Sequence, residues 1–205
     1  MADSIKKKEL MAGYTGVKFQ TIQLNESLPS GFDKLFPLFK ECADLAKEHG
    51  MVPQNAGNFS MRFAGGMAIT TSGANLEMLE EDEVVFLKSC SMEDMKVEYI
   101  GANKPSSESL LHYSILQCRP DADAVVHVHN IPPSEVLAGV VKETPREEAY
   151  GSAELAAATC ETLGKDEKLI VMKNHGYVAV GPTLMDAAKI ILDAHLKLKA
   201  KQGKS

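Results

Sequence analysis

The run Ala124-Val125-Val126-His127-Val128-His129 constrains this chain more than any other segment. Its β-branched apolar residues read as a buried strand. Successive strand residues alternate between faces, so His127 and His129 project to the same side. A third histidine stands in Asn174-His175-Gly176. Three neutral imidazoles with an open fourth position are what a catalytic zinc site requires. A lone histidine on such a strand is otherwise a hydrogen-bonded core residue, and spacing leaves both readings open.

Upstream lies Lys104-Pro105-Ser106-Ser107-Glu108-Ser109-Leu110-Leu111-His112. Proline followed by serines signals a helix start, with a hydroxyl capping the free amides. Leu111, Ile115 and Cys118 recur at helical spacing and give that helix, Ser107 to Cys118, a buried face. Glu108 then falls in its first turn. It either complements the helix dipole, or joins a site in which serines and amides hold a phosphate and the carboxylate reaches metal or substrate. Sequence spacing does not choose between these.

The rest of the chain alternates short strands with amphipathic helices. Residues 1 to about 30 are polar and read as an arm outside the main fold or against a neighbour, with Leu28-Pro29-Ser30-Gly31 as the break. Residues 31–205 form a single domain. Helical periodicity runs from Phe32 to His49 and stops at Gly50. Strand signals follow at Asn58–Phe63, Met67–Thr70, Val84–Leu87 and Val97–Ile100. After Ala124–His129 come an apolar stretch near Val136–Val140 and a helix, Ser152 to Leu163, capped by Ser152. Strands Leu169–Met172 and Tyr177–Val180 flank His175. A final helix runs from Thr183 to about Lys199, with Thr183 as cap and Asp186 in the capping-box position. Strands interrupted by helices argue for a sheet covered on both faces.

Composition narrows the partners. With 22 basic and 28 acidic residues the formal charge is −6, which disfavours nucleic acid. No signal peptide or membrane span is visible. Cys42, Cys90, Cys118 and Cys160 show no Cys-x-x-Cys spacing, which fits a reduced, cytoplasmic setting. Arg62 reads as structural, His112 as a buried structural histidine or an orienter of Glu108, and His49 and His195 as bland.

Five segments occur in the order found in the class II aldolase and adducin family. They are Asn55 to Arg62 (Asn-Ala-Gly-Asn-Phe-Ser-Met-Arg), Ile69-Thr-Thr-Ser-Gly73, Pro105-Ser-Ser-Glu108, Arg119 to His129, and Asn174-His-Gly176. In particular the chain resembles the L-fuculose-1-phosphate aldolase group. The resemblance implies a three-layer α/β/α sandwich around a mainly antiparallel or mixed sheet. It implies one zinc ion per chain on His127, His129 and His175. Glu108 becomes the acid/base, also able to ligate the metal when no substrate is bound. Gly57, Asn58, Ser72, Gly73, Ser106 and Ser107 become the phosphate seat. That set suits the chemistry: glycines let the backbone approach closely or take positive φ, and the remaining residues supply donors.

The implied reaction is cleavage of a small ketose 1-phosphate to dihydroxyacetone phosphate and a short aldehyde. A homo-oligomer, a tetramer with pockets at subunit boundaries, is implied with it. The alternatives are a methylthioribulose-1-phosphate dehydratase-like lyase and a non-catalytic, adducin-like assembly module. An epimerase branch that carries aspartate where this chain has Glu108 is disfavoured. Two features depart from the aldolases: the interval between His129 and His175 is shorter, and the stretch after His175 aligns with no tail tyrosine. Tyr150 and Tyr177 are the nearest remaining phenols, either of which can be structural, and the acid opposite Glu108 is left unassigned.

Overall fold

The computed structural model describes residues 19–53, 56–129 and 141–202. Nine strands among them form one sheet in the order β1-β5-β4-β3-β2-β6-β9-β8-β7. They are β1 (Gln20–Gln23), β2 (Gly57–Phe63), β3 (Gly66–Thr70), β4 (Val84–Ser91), β5 (Lys96–Ile100), β6 (Ala124–Val128), β7 (Lys142–Glu143), β8 (Leu169–Met172) and β9 (Gly176–Gly181). The two edge pairs, β1 with β5 and β7 with β8, are parallel. All inner pairs are antiparallel, so the sheet is mixed.

Four helices cover it: α1 (Phe36–Glu48), α2 (Ser109–Cys118), α3 (Ala153–Leu163) and α4 (Leu184–Gln202). Apolar residues of α1 and α4, among them Phe39, Cys42, Ala187 and Ile191, share a core with Phe59, Ala68, Phe86, Val126 and Tyr177 of the sheet. On the other face Leu110 and Ile115 of α2, with Leu155 and Leu163 of α3, pack on Ile69, Val85, Val125 and Val178. This is the expected three-layer α/β/α sandwich. None of the described helices is long and apolar enough to cross a membrane.

Local chemistry sets the helix ends. Phe32–Lys34 form a separate 3₁₀ turn before α1. A continuous helix from Phe32 would need an N–H from Pro37, which proline lacks, so the α-helix starts at Phe36 with Pro37 in its first turn. Ser152 caps α3 by accepting from the Leu155 amide at 3.0 Å. Thr183 Oγ1 accepts from the Asp186 amide at 3.1 Å at the start of α4.

Two strands lacked a sequence signal. Gln20–Gln23, within the stretch expected as an arm, lies along β5, and Leu24 extends the contact by donating to the Tyr99 carbonyl. Its Gln-Thr-Ile-Gln composition is polar because one edge and both ends face solvent. Lys142–Glu143 is too short for periodicity to register. Residues 1–18 and the apolar stretch near Val136–Val140 lie outside the described residues.

Cys118 and Cys160, on α2 and α3, are joined as a disulfide with a Cα–Cα distance of 6.1 Å. This corrects the expectation of reduced cysteines drawn from the absence of Cys-x-x-Cys spacing. The pair is brought together only by the packing of α2 on α3.

Candidate metal and substrate site

β6 is central and buried along its whole length. Its odd-numbered side chains point toward α2 and α3, which places His127 there beside Val125. His129 follows one residue past the strand, held by its amide to the Ala56 carbonyl. β9 pairs with β6 on the other side, His127 opposite Val178 and Val128 opposite Tyr177. The tight β8–β9 turn therefore ends beside His129 and delivers His175. Asn174 adopts φ 57° in that turn, a left-handed conformation asparagine tolerates better than most residues.

Glu108 occupies the N-cap position of α2 and is fully buried. Its amide donates to Ser106 Oγ at 3.2 Å, so the helix begins two residues later than the serine signal suggested. Its Oε2 lies 3.2 Å from His127 Nε2 and 3.5 Å from His129 Nε2, and its Oε1 lies 3.1 Å from His175 Nε2. One donor atom from each of the four residues falls within 4.8 Å of every other.

These atoms fit a metal ion. The three Nε2 atoms are buried and have no hydrogen-bond partner, an expensive condition for nitrogen lone pairs facing one another. His127 Nδ1 lies 2.7 Å from the Tyr177 carbonyl, which can only accept, so the proton sits on Nδ1 and Nε2 keeps its lone pair. Burial lowers the His127 pKa, which favours the neutral ligand form. Burial pushes the Glu108 carboxyl up, but the surrounding His127, His129 and His175 outweigh it and hold the carboxyl well below the usual range. Asn58 Nδ2 adds a donor to Oε2 at 2.6 Å. A carboxylate set among three imidazoles is a donor set for a divalent cation.

The residues assigned to the phosphate seat divide into two groups. Ser72, Gly73, Ser106 and Ser107 lie on adjoining segments. Thr71 bridges Pro105, the Ser72 amide donates to the Lys104 carbonyl, and the Ser106 amide donates to the Thr70 carbonyl. Gly73 has φ 78°, the positive value anticipated for it. Gly57 and Asn58 instead lie on β2 against β6, opposite Val128 and His127. A Cβ at Gly57, which has φ 146°, would collide with the His127 carbonyl oxygen. The Asn58 amide donates to Glu108 Oε2, and its Oδ1 has no partner.

Arg62 binds carbonyls of Leu116, Arg119 and Ala122 and so ties β2 to the α2–β6 connection, a structural role. His112 is fully buried with Nδ1 2.7 Å from Ser60 Oγ. Tyr177 packs into the α1/α4 core, across the sheet from the histidines, and burial pushes its phenol up to about 12. It is remote from the site's chemistry. Tyr150, by contrast, stacks on His175 with ring centroids 4.8 Å apart. Sequence reading named it without a role, because neither spacing nor the five motifs places it.

A chain with this sheet and this cluster is a class II aldolase-type protein in architecture, and comparison with known proteins agrees. The model of the class II aldolase and adducin N-terminal domain matches residues 38–143 and 131–195. The chain belongs to that family. It is 34% identical over 161 residues to a 5-methylthioribulose-1-phosphate/5-deoxyribulose-1-phosphate aldolase of Rhodospirillum rubrum, covering 70% of this chain and 69% of that one. It is 32% identical over 149 residues to an L-fuculose phosphate aldolase of Methanocaldococcus jannaschii, covering 65% and 76%. A solved L-fuculose 1-phosphate aldolase superposes with a TM-score of 0.66 at 25% identity, covering 84% and 85%. Another from Thermus thermophilus shares the fold at 0.64 and 20% identity, covering 84% and 97%.

Proposed function

We propose that this protein is a zinc-dependent aldolase that cleaves a small ketose 1-phosphate to dihydroxyacetone phosphate and a short aldehyde. The observation that carries the proposal is the convergence of His127, His129, His175 and Glu108 on the fold of this family. An adducin-like scaffold has no need of four buried donors without partners of their own. His127, His129 and His175 would hold the ion, which when bound supplies Lewis-acid polarisation of substrate oxygens. Ser72, Ser106, Ser107 and the Gly73 turn would seat the phosphate through hydroxyls and amides.

Glu108 is the proton carrier of this reading. When the C3–C4 bond breaks, the C4 hydroxyl loses its proton and becomes the aldehyde carbonyl, the electron pair of the bond stays on C3 as an enediolate, and that proton, carried by Glu108, is placed on C3 to release dihydroxyacetone phosphate. Asn58 aims the carboxylate, and burial keeps water from competing for it. Gly57 and Gly176 flank β6 so closely that a Cβ at either would strike its backbone, which fixes His127 relative to Glu108.

The Rhodospirillum relative favours a five-carbon ketose 1-phosphate as substrate. The test is a panel of ketose 1-phosphates, including 5-deoxyribulose, 5-methylthioribulose and fuculose 1-phosphates, with zinc-loaded protein. Release of dihydroxyacetone phosphate supports the aldolase. Loss of water without C–C cleavage identifies a dehydratase, and no turnover with any ketose phosphate removes the proposal. A homotetramer belongs to the same reading, and a monomer mass in light scattering with full activity would rule out a site shared between subunits.

A further inference from the structure

Two polar pairs fasten α2 to β2 beside the candidate metal site. Asn58 and Ser60 stand two residues apart on β2 and so share a face, while Glu108 and His112 are one helical turn apart at the start of α2. Asn58 Nδ2 donates to Glu108 Oε2 at 2.6 Å, and Ser60 Oγ lies 2.7 Å from His112 Nδ1. Ser60, Glu108 and His112 are fully buried. The His112 amide also donates to the Glu108 carbonyl at 3.0 Å, so the two residues are joined through the backbone. Ser60 lies in the interior of the sheet, opposite Ile69 of β3 and Val125 of β6. A strand paired on both sides therefore holds His112, and His112 holds the backbone from which the Glu108 carboxylate extends.

We infer that the Ser60–His112 pair positions Glu108 against His127, His129 and His175. The inference rests on Glu108 as the proton carrier proposed above. Elsewhere α2 meets the sheet through Leu110, Leu111 and Ile115. Such apolar contacts are non-directional and tolerate a small slide of the helix, whereas a hydrogen bond weakens steeply with misalignment. The pair adds little stability that an apolar pair of the same shape would not, because burying two polar groups offsets most of the gain from their bond. His112 Nε2 goes without a hydrogen-bond partner altogether. What the pair adds is direction. It fixes the register of α2 along β2, and with it the distances of 3.1 to 3.5 Å between the Glu108 oxygens and the three Nε2 atoms. Asn58 fixes one carboxylate oxygen but not the helix that carries it.

The experiment removes the pair and reads Glu108. Ser60→Ala alone, and Ser60→Ala combined with His112→Phe so that neither partner is left unpaired, are made in the zinc-loaded full chain. Both are expected to keep their zinc, their fold and their KM for 5-deoxyribulose 1-phosphate. Their kcat should fall roughly 10- to 100-fold, the cost of displacing a reacting group by up to about 1 Å. His112→Asn, whose amide offers both a donor and an acceptor near the Nδ1 position, should recover most of that loss. In a Glu108→Gln background Ser60→Ala should lower kcat no further, because it acts through the carboxylate. Cobalt(II)-loaded protein supplies a readout that needs no turnover: the visible absorption of Ser60→Ala should move toward that of Glu108→Gln. A wild-type kcat or a wild-type cobalt spectrum in Ser60→Ala overturns the inference. So do equal losses of kcat in both backgrounds, or loss of zinc, which would make Ser60 a structural support of β6. Near-normal turnover in Glu108→Gln itself removes the proton-carrier reading and the inference with it, whereas equal losses in both backgrounds overturn the inference alone.

Discussion

The two faces of β6 carry opposite solutions to the same burial. Ala124, Val126 and Val128 enter the α1/α4 core, where Phe32, Phe63 and Phe86 meet edge to face at 6.0 to 6.4 Å. Val125 and His127 enter the α2/α3 side, where burial extends to Glu108, Ser109, His112 and Thr159. One face is filled with groups that ask nothing of their neighbours except volume. The other buries ionisable groups and leaves Nε2 of His127, His129 and His175 and Oε1 of Glu108 without hydrogen-bond partners, an arrangement that costs folding free energy unless something binds there. A shared strand lets the apolar face supply the stability that the polar face spends.

That contrast predicts which substitutions change function and which change stability. His127→Ala should abolish zinc binding and with it activity, while the apoprotein keeps its fold; metal analysis alongside circular dichroism checks this. Loss of the fold would mean that the two faces are not separable. Glu108→Gln should retain zinc through the histidines and lower turnover by roughly 10² to 10⁴, the range for a positioned proton carrier. Near-normal turnover would reduce Glu108 to a helix-terminus charge. On the opposite face, Phe39→Ala should cost about 3 to 5 kcal/mol in urea unfolding. Its turnover per bound zinc should stay at the wild-type level below the melting transition.

The last effect is the most local, and it vanishes at neutral pH. Burial pushes the His112 imidazole down from 6.5 to about 3, so the folded protein refuses a proton that the unfolded chain accepts between those values. Its contribution is therefore complete above about pH 6.5 and shrinks as pH falls toward about 3, by at most about 1.4 kcal/mol per pH unit. His112→Asn should flatten the dependence of unfolding free energy on pH in that window. An unchanged slope would assign the acid sensitivity to other groups.

Local chemistry in the sequence determined the strand Ala124–Val128, the caps at Ser152 and Thr183, and the common face of His127 and His129. Each depends on a period or on a side chain reaching amides two or three residues away. The ordered motifs added Glu108 and His175 by resemblance. Tertiary structure decided the rest. The β6–β9 register set His175 beside His129, and the β2–β6 register turned Asn58 toward Glu108. Packing of α2 on α3 joined Cys118 to Cys160, and the turn from Lys173 to His175 drew Tyr150 over His175 while Tyr177 went to the far side of the sheet. These are contacts between residues distant along the chain, and no periodicity or cap reports them, because register and layer packing are settled by the whole core at once.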